Sequence, residues 1–182
     1  AMDVTLPEDW ARARRHVAER YGRIDVLINN AGGGVAIKEV AEQTVEELDA
    51  AIRLNLCSVL YAARAFAPML KEQRHGTVIH IASVCARHSW PGWSVYAAAK
   101  AGVLQFSKGF YTEMQPYRVR VSCILPAAAS TGFQRGAGIG EVVQELAPED
   151  IAQTALYIAK LPPHAVVEDV TVWGIDQVVT PL

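Results

Sequence analysis

Tyr96 and Lys100 stand four residues apart in an alanine-rich run, "SVYAAAKAGV" at residues 94–103, that holds no other long polar side chain. In a helix this spacing places the hydroxyl and the ammonium on one face, where both can approach a common point. A phenol with a pKa of about 10 exchanges protons poorly at neutral pH, and a positive charge within about 4–6 Å lowers that pKa. The alternative is an exposed helix whose lysine extends into solvent, and the pair alone does not decide between them.

The elements around this pair alternate between helix and strand. Short apolar strands are predicted at residues 23–28, 77–83, 118–125 and 167–173. Helices are predicted at residues 7–21, at 44–73, from about Tyr96 to Met114, and from Pro148 onward. The signals include Pro7 and Gly22 at the two ends of the first helix, and Thr44 with Glu47 as a capping box.

This alternation predicts the α/β class, with a parallel sheet covered by helices on both faces. In such sheets, ligands bind beyond the carboxyl ends of the strands. Polar residues stand at those ends: Asn29 and Asn30 follow the first strand, Ser83 ends the second and Thr131 follows the third. The sequence therefore predicts a site at this edge. The segment 127–143, rich in glycine and small residues, is predicted to be the most flexible.

The composition favours one domain over residues 1–182. Half of the residues are apolar and the net charge is −2, which gives no reason to expect nucleic acid or an anionic membrane as a partner. Three scattered cysteines argue against a disulfide framework and favour a reduced, cytoplasmic setting. No signal peptide, membrane span or metal site is predicted, since the apolar run at 56–70 is short and contains Arg64.

Four motifs in order, "NNAG" at 29–32, Ser83, "YAAAK" at 96–100 and Thr131, resemble the classical short-chain dehydrogenase/reductase family. The resemblance extends from residue 3 to the C-terminus. It implies a Rossmann-like, doubly wound parallel sheet. It also implies hydride transfer between a secondary alcohol and a ketone or aldehyde, with NADP as the cofactor and NAD as the alternative.

The resemblance assigns catalytic roles to four residues. Tyr96 is the acid–base, Lys100 activates it and holds the nicotinamide ribose, and Ser83 orients the substrate oxygen. Asn55 would hold a helix kink and a water in a proton relay to the lysine. On its own, Asn55 would be interpreted as a buried amide whose hydrogen bonds are made, because asparagine is mildly disfavoured inside a helix.

A second set is assigned to the cofactor. Besides Tyr96 and Lys100 it comprises Asp3, Val4, Asn30, Ala31, Gly32, Ala129 and Thr131. Asp3 and Val4 would contact the adenine, residues 30–32 would form the wall beside adenine and ribose, and Thr131 would hold the nicotinamide carboxamide. The alternatives are a glycine-rich turn that only ends a strand and an ordinary loop threonine.

The loop before the tyrosine, "HSWPGWSV" at 88–95, is predicted to line the substrate pocket with Ser83. Its candidates are His88, Trp90 and Trp93, where the tryptophans suggest an apolar wall. A structural histidine and core-packing tryptophans are the alternatives. The C-terminal tail resembles the branch of the family that contains 3-hydroxy acid, serine and related dehydrogenases and favours NADP.

Two departures from the family pattern matter. Ala127 replaces a glycine and could alter the loop near the nicotinamide. The phosphate-binding "TGxxxGxG" turn does not occur in these residues, which begin where the third strand of the family would end, so the first three strands are not represented. We therefore expect roughly 60 further N-terminal residues in the natural protein, and weak dinucleotide binding by residues 1–182 alone. The competing hypothesis is a non-catalytic, fragmentary module that acts through subunit association, and a lyase or epimerase is a minor third one.

We expect a homodimer or homotetramer built through the helices at 44–73 and 92–114. Apolar residues recur on both helices beyond one buried stripe, as at Val59, Ala63, Phe66 and Val103. Besides a second copy of the chain, the expected partner is a small carbonyl or alcohol substrate.

Overall fold

The computed structural model describes residues 1–138 and 146–177, apart from the side chains of Gln134 and Arg135. Its centre is a parallel sheet of four strands in the order β1-β2-β3-β4. The strands are β1 (Val26–Asn29), β2 (Thr77–Ile81), β3 (Arg120–Pro126) and β4 (Asp169–Val172). In register, Asn29 faces His80, and His80 faces Cys123. All carboxyl ends therefore lie at one edge of the sheet.

Helices connect the strands. They are α1 (Pro7–Tyr21), α2 (Val45–Ile52), α3 (Ser58–Gln73), α4 (Ser94–Met114), α5 (Phe133–Ala137) and α6 (Pro148–Lys160). Short 3₁₀ turns occur at Val40–Glu42, Val84–Ala86 and Gln115–Tyr117. The predicted α/β class and all the predicted elements are confirmed, with boundaries shifted by a few residues. The flexibility predicted for 127–143 falls partly on residues 139–145, which lie outside the described residues.

The helix ends follow their sequence signals. Gly22 takes the left-handed conformation, with φ at 69°, and its N–H bonds the carbonyl of Ala18 to end α1. At the start of α2, the Thr44 hydroxyl accepts from the Glu47 N–H, and the Glu47 carboxylate accepts from the Thr44 N–H. This reciprocal pair satisfies two donors that a helix start leaves open, as the capping box predicts.

One π turn, Arg53–Cys57, joins α2 to α3 in a continuous helical run. The Asn55 side chain donates to the Ala51 carbonyl at 3.0 Å. In an α-helix that carbonyl would accept from the backbone N–H of residue 55, so the side chain competes with the regular ladder. The predicted helix at 44–73 is confirmed, and this widened turn is its departure from α geometry.

Helices cover both faces of the sheet. On one face, Leu27, Val78 and Val121 pack in a buried cluster with residues of α3 and α4. On the other face, Ile79 and Ile124 pack with Ile158 of α6. This two-sided burial is why the strands are nearly continuous apolar runs.

The apolar residues that were used to predict an interface between subunits lie in the core instead. Val59, Ala63, Phe66 and Val103 are all at most 3% exposed and belong to the chain's own core. The helices carry more apolar residues than one buried stripe requires because α3 packs against α4 and α1 as well as against the sheet. The homo-oligomer stays a prediction without support from these side chains.

The run Val45–Gln73 is long and apolar enough to span a membrane by length and composition alone. Core helices of soluble proteins pass the same test, and the α3 part of this run buries Ala62, Phe66 and Leu70 against the sheet. We therefore assign the run to the core of the fold.

Candidate active site

A cavity of about 1440 Å³ opens at the carboxyl edge of the sheet. Of the predicted site residues it is lined by Asn30, Gly32, Ser83, Trp90, Trp93, Tyr96, Lys100, Ala129 and Thr131. Each comes from a strand end, a loop or the start of α4. The sheet thus brings most of the predicted site together where parallel-sheet sites are expected.

Tyr96 and Lys100 lie on the inward face of α4. They are 9% and 4% exposed, which excludes the alternative of a lysine that extends into solvent. The Lys100 Nζ donates to the Ile81 carbonyl at 3.1 Å and lies 5.6 Å from the centroid of the Tyr96 ring. The ammonium is therefore held between the end of β2 and the phenol.

Burial dominates the protonation of this pair. It raises the pKa of the Tyr96 phenol, and the neighbouring Ser83 hydroxyl acts in the opposite direction by hydrogen bonding. The prediction of a lowered Tyr96 pKa is wrong for the protein without ligands, because loss of solvent is the largest influence on that pKa. Burial also lowers the pKa of Lys100, to about 8. At neutral pH the phenol is protonated and the amine is mostly charged.

Ser83 follows β2 and caps the 3₁₀ turn at Val84–Ala86. Its hydroxyl oxygen accepts from the Cys85 N–H at 3.2 Å. The turn thereby fixes the oxygen while the hydroxyl proton stays available to the cavity. Ser83 and Tyr96 present two hydroxyls from different elements to the same space.

Asn55 reaches from the π turn to the glycine-rich segment after β1. Its Oδ1 accepts from the Gly33 N–H at 3.0 Å, and its Nδ2 donates to the Gly33 carbonyl at 2.9 Å. The side chain is 1% exposed, so these bonds are shielded from water. The Asn55 amide is thus buried with its hydrogen bonds satisfied, which agrees with the structural interpretation of this residue. The same bonds connect the π turn to the cavity wall.

Gly32 stands where a side chain would crowd two polar groups. A Cβ at this position would lie 3.0 Å from Asn55 Oδ1 and 3.1 Å from Lys100 Nζ. Backbone at residue 32 therefore approaches both polar groups closely, which glycine alone permits without a shift.

Besides Asn55, four predicted site residues do not line the cavity. Asp3 bonds Thr5 at the start of the chain, and the Val4 carbonyl accepts from the Trp10 indole at 2.9 Å. Ala31 is exposed beside the lining residues. The His88 ring lies 6.4 Å from the ring of Trp90 and 6.0 Å from that of Trp173, both of which line the cavity. His88 therefore supports the two tryptophans.

Two aromatic residues that line the cavity were missed by sequence reasoning. Phe133 starts α5 and stacks on Trp93, with ring centroids 5.9 Å apart. Trp173 follows β4 directly. The rule that sites lie beyond strand ends could have found Trp173, whereas no local signal distinguished Phe133.

The loop after β3 accommodates the departure at Ala127. Its N–H donates to the Val172 carbonyl at 2.8 Å, and the residue packs with Val84 and Leu146. Farther along, the Thr131 hydroxyl oxygen accepts from the Phe133 N–H at 3.2 Å. Ala127 is 8% exposed and also lines the cavity, so its methyl group packs where the core forms the cavity wall.

Comparison with known proteins identifies the family. The family model described as short chain dehydrogenase matches residues 1–161. The chain belongs to the short-chain dehydrogenase family. An uncharacterised oxidoreductase of Staphylococcus saprophyticus is 32% identical over 171 residues, which cover 94% of this chain and 72% of that protein.

Solved structures agree with this short-chain dehydrogenase assignment. A closed form of serine dehydrogenase complexed with NADP+ is 28% identical, has a TM-score of 0.91 and covers 100% of this chain and 77% of its own. An alcohol dehydrogenase from the archaeon Thermococcus sibiricus, complexed with 5-hydroxy-NADP, is 27% identical with a TM-score of 0.88 and covers 98% and 75%. These matches confirm the Rossmann-like fold class. The chain spans about three quarters of each of these relatives.

Proposed function

We propose that this short-chain dehydrogenase is an NAD(P)-dependent oxidoreductase that interconverts a secondary alcohol and a ketone or aldehyde. The observation that carries the proposal is the convergence of Ser83, Tyr96 and Lys100 on one cavity, with Tyr96 protonated by burial. The matched oxidoreductases and the nicotinamide cofactors bound in the matched structures support it.

The cavity wall fits a dinucleotide's nicotinamide half. Gly32 offers backbone close to Lys100, Asn30 and Thr131 line the same space, and a Cβ at residue 32 would intrude on it. Lys100 would hold the ribose hydroxyls through its ammonium, and Thr131 and Ala129 would border the nicotinamide. When bound, the reduced cofactor supplies a hydride to the carbonyl carbon. Asp3, Val4 and Ala31 remain assigned to the adenine side by family resemblance alone.

Tyr96 acts as the proton donor for reduction. As the carbonyl carbon gains the hydride pair, its oxygen becomes an alkoxide and takes the phenolic proton. The Ser83 hydroxyl donates to the same oxygen and orients it. The positive charge on Lys100 then stabilises the phenolate. In the reverse direction Tyr96 must first lose its proton, so alcohol oxidation is expected to rise with pH.

Asn55 is proposed to position the cavity wall and not to contact the substrate. Its bonds to Gly33 hold the wall next to Lys100, and the π turn holds Asn55 itself. The water relay to the lysine stays a proposal, as do a single domain over 1–182, a homo-oligomer and a cytoplasmic setting.

The test is reduction of a panel of ketones and aldehydes by the full natural chain, with NADPH and NADH in parallel. Tyr96→Phe keeps the ring and removes the hydroxyl, so turnover should fall by about two orders of magnitude or more while the melting temperature changes little. Tyr111→Phe, a hydroxyl removal on the same helix outside the cavity, is the matched control and should keep full turnover. A Tyr96→Phe protein with near-wild-type turnover would refute the assignment, and a folded wild type that consumes no carbonyl with either cofactor would favour the non-catalytic module.

A further inference from the structure

We propose that the substrate carries an aromatic ring on its reacting carbon and no charged group near that carbon. This inference rests on the proposed function and names the class of substrate that the same cavity selects. Three features of the cavity support it.

The first feature is an aromatic enclosure around the Tyr96 phenol. The Trp93 ring meets the Tyr96 ring edge-on at 5.7 Å, and the Phe133 ring meets it edge-on at 5.4 Å. Trp93 and Phe133 are nearly parallel, with 10° between their planes. A carbonyl held at the phenolic oxygen therefore has its substituent among ring faces and edges, which favour another flat aromatic group.

The second feature is the apolar surface beside this enclosure. Trp90 belongs to the cluster around Tyr96 and also to a second cluster with Val84, Leu146 and Trp173. Trp90 thus continues the apolar lining from the phenol to the end of β4. A substituent that leaves the reacting carbon in this direction loses water against apolar side chains, and that favours hydrocarbon.

The third feature is the placement of charge. Among the described side chains that line the cavity, Lys100 and Asp176 are the charged ones. Lys100 already donates to the Ile81 carbonyl behind Tyr96, and Asp176 would repel a carboxylate. A small hydroxy or keto acid would therefore place its carboxylate near tryptophan with no second cation among the described lining residues to pair with it, which is costly.

The experiment compares three methyl ketones that differ only in the second substituent: acetophenone, cyclohexyl methyl ketone and acetoacetate. With the full natural chain and reduced cofactor, kcat/KM should be highest for acetophenone and lowest for acetoacetate. Saturation-transfer NMR on the same three ketones, without turnover, should show the same order of binding.

Variants assign the preference to the aromatic enclosure. Trp93→Ala should raise KM for acetophenone about tenfold, the scale of one lost aromatic contact, and change KM for acetoacetate little. Trp93→Phe should bring the KM for acetophenone most of the way back to the wild-type value. This result would separate the loss of a ring contact from a folding defect. Tyr157→Ala, an exposed aromatic on α6 outside the cavity, should change neither constant.

The inference and the proposed function can fail separately. Tyr96-dependent turnover that prefers acetoacetate, or a Trp93→Ala variant that affects all three ketones equally, would overturn the aromatic preference and leave the oxidoreductase intact. If the wild type reduces none of the three, the NMR measurement decides. Acetophenone binding that Trp93→Ala abolishes supports the inference, and no acetophenone binding overturns it.

Discussion

At the scale of single residues, the side chain that most constrains the chemistry is Lys100. Its ammonium is nearly inaccessible to water and donates to the Ile81 carbonyl, so the charge is placed by the backbone of β2 rather than by Tyr96. A positive charge positioned this way can stabilise a phenolate without forming a direct bond to it. The helix spacing predicted that the two residues would share a face, and this is confirmed. The direction of the Tyr96 pKa could not be predicted, because it depends on how completely other elements cover the ring.

A substitution at Gly32 tests whether the close approach of the backbone to Asn55 and Lys100 is needed for turnover. Gly32→Ala would place a methyl group at 3.0–3.1 Å from Asn55 Oδ1 and Lys100 Nζ, so one of these groups must move and turnover should fall at least about tenfold. Steady-state kinetics and thermal melting on the same protein measure this effect.

Gly33→Ala is the matched control for Gly32→Ala. Its added methyl group would lie 3.8 Å from the Leu54 side chain, an ordinary contact, so turnover should stay within a few-fold of the wild type. Equal losses in the two variants would show that the effect comes from chain stiffness and not from the approach to Lys100.

At the scale of elements, the helices and strands were largely predictable and the turns between them were not. Apolar runs and caps such as Thr44 with Glu47 determine where α2 begins, and these are local. The π turn at Arg53–Cys57 depends on a glycine 22 residues away, because Asn55 bonds Gly33 as well as Ala51. Phe133 entered the cavity through tertiary packing on Trp93, which no local pattern could reveal. His88, predicted in the pocket, packs against Trp90 and Trp173 and does not line the pocket.

Asn55→Ala tests the link between the π turn and the cavity wall. The substitution leaves the Gly33 N–H and carbonyl without their partner, so the free energy of unfolding should fall by about 1–3 kcal/mol. Turnover should also fall at temperatures where the variant is folded, because the wall beside Lys100 loses its anchor. Urea denaturation and kinetics measure the two effects.

Ser58→Ala is the control in the same helical run. Ser58 also donates to a carbonyl one turn back, that of Leu54 at 2.6 Å, but the bond is local to the helix. Its loss should leave turnover unchanged. If Ser58→Ala reduced turnover as much as Asn55→Ala, the reach to Gly33 would not explain the role of Asn55.

At the scale of the whole molecule, a histidine in the core makes folding sensitive to acid. His80 of β2 is fully buried, between Asn29 and Cys123 of the neighbouring strands and under Phe106 and Phe110 of α4. Its Nδ1 lies 2.8 Å from the Ser107 hydroxyl. That hydroxyl donates to the Val103 carbonyl at 2.7 Å. The imidazole nitrogen must therefore be the donor in this pair, which requires a proton on Nδ1. Burial keeps the ring neutral, so Nε2 carries no proton.

The free energy of unfolding should fall between about pH 6.5 and pH 4. Burial lowers the pKa of His80 from 6.5 to about 4, so the unfolded chain binds a proton in this range and the folded chain does not. The stability is complete above pH 6.5 and lost as the pH falls to about 4, by an amount on the order of 3 kcal/mol. Urea titrations across this range measure it.

His80→Asn removes the titrating ring and keeps a polar side chain. Its own stability will be lower, but the slope of unfolding free energy against pH between 6.5 and 4 should flatten. The lysines and most carboxylates contribute equally to both proteins and cancel in the comparison. An unchanged slope would mean that His80 does not account for the acid sensitivity.

The π turn at Arg53–Cys57 also determines how this chain tolerates changes of length. Each residue of an α-helix turns the chain by about 100°, and a π turn holds one residue more than the α-helical turn it replaces. Deleting a single residue there would restore α geometry and leave the eight residues of α2 facing α3 much as they do now. A deletion within α2 itself would instead rotate the residues before it by about 100° and move Ala51 off the buried face. Within this helical run, the π turn is therefore the place where the loss of one residue disturbs the packing least, although the link from Asn55 to Gly33 would change.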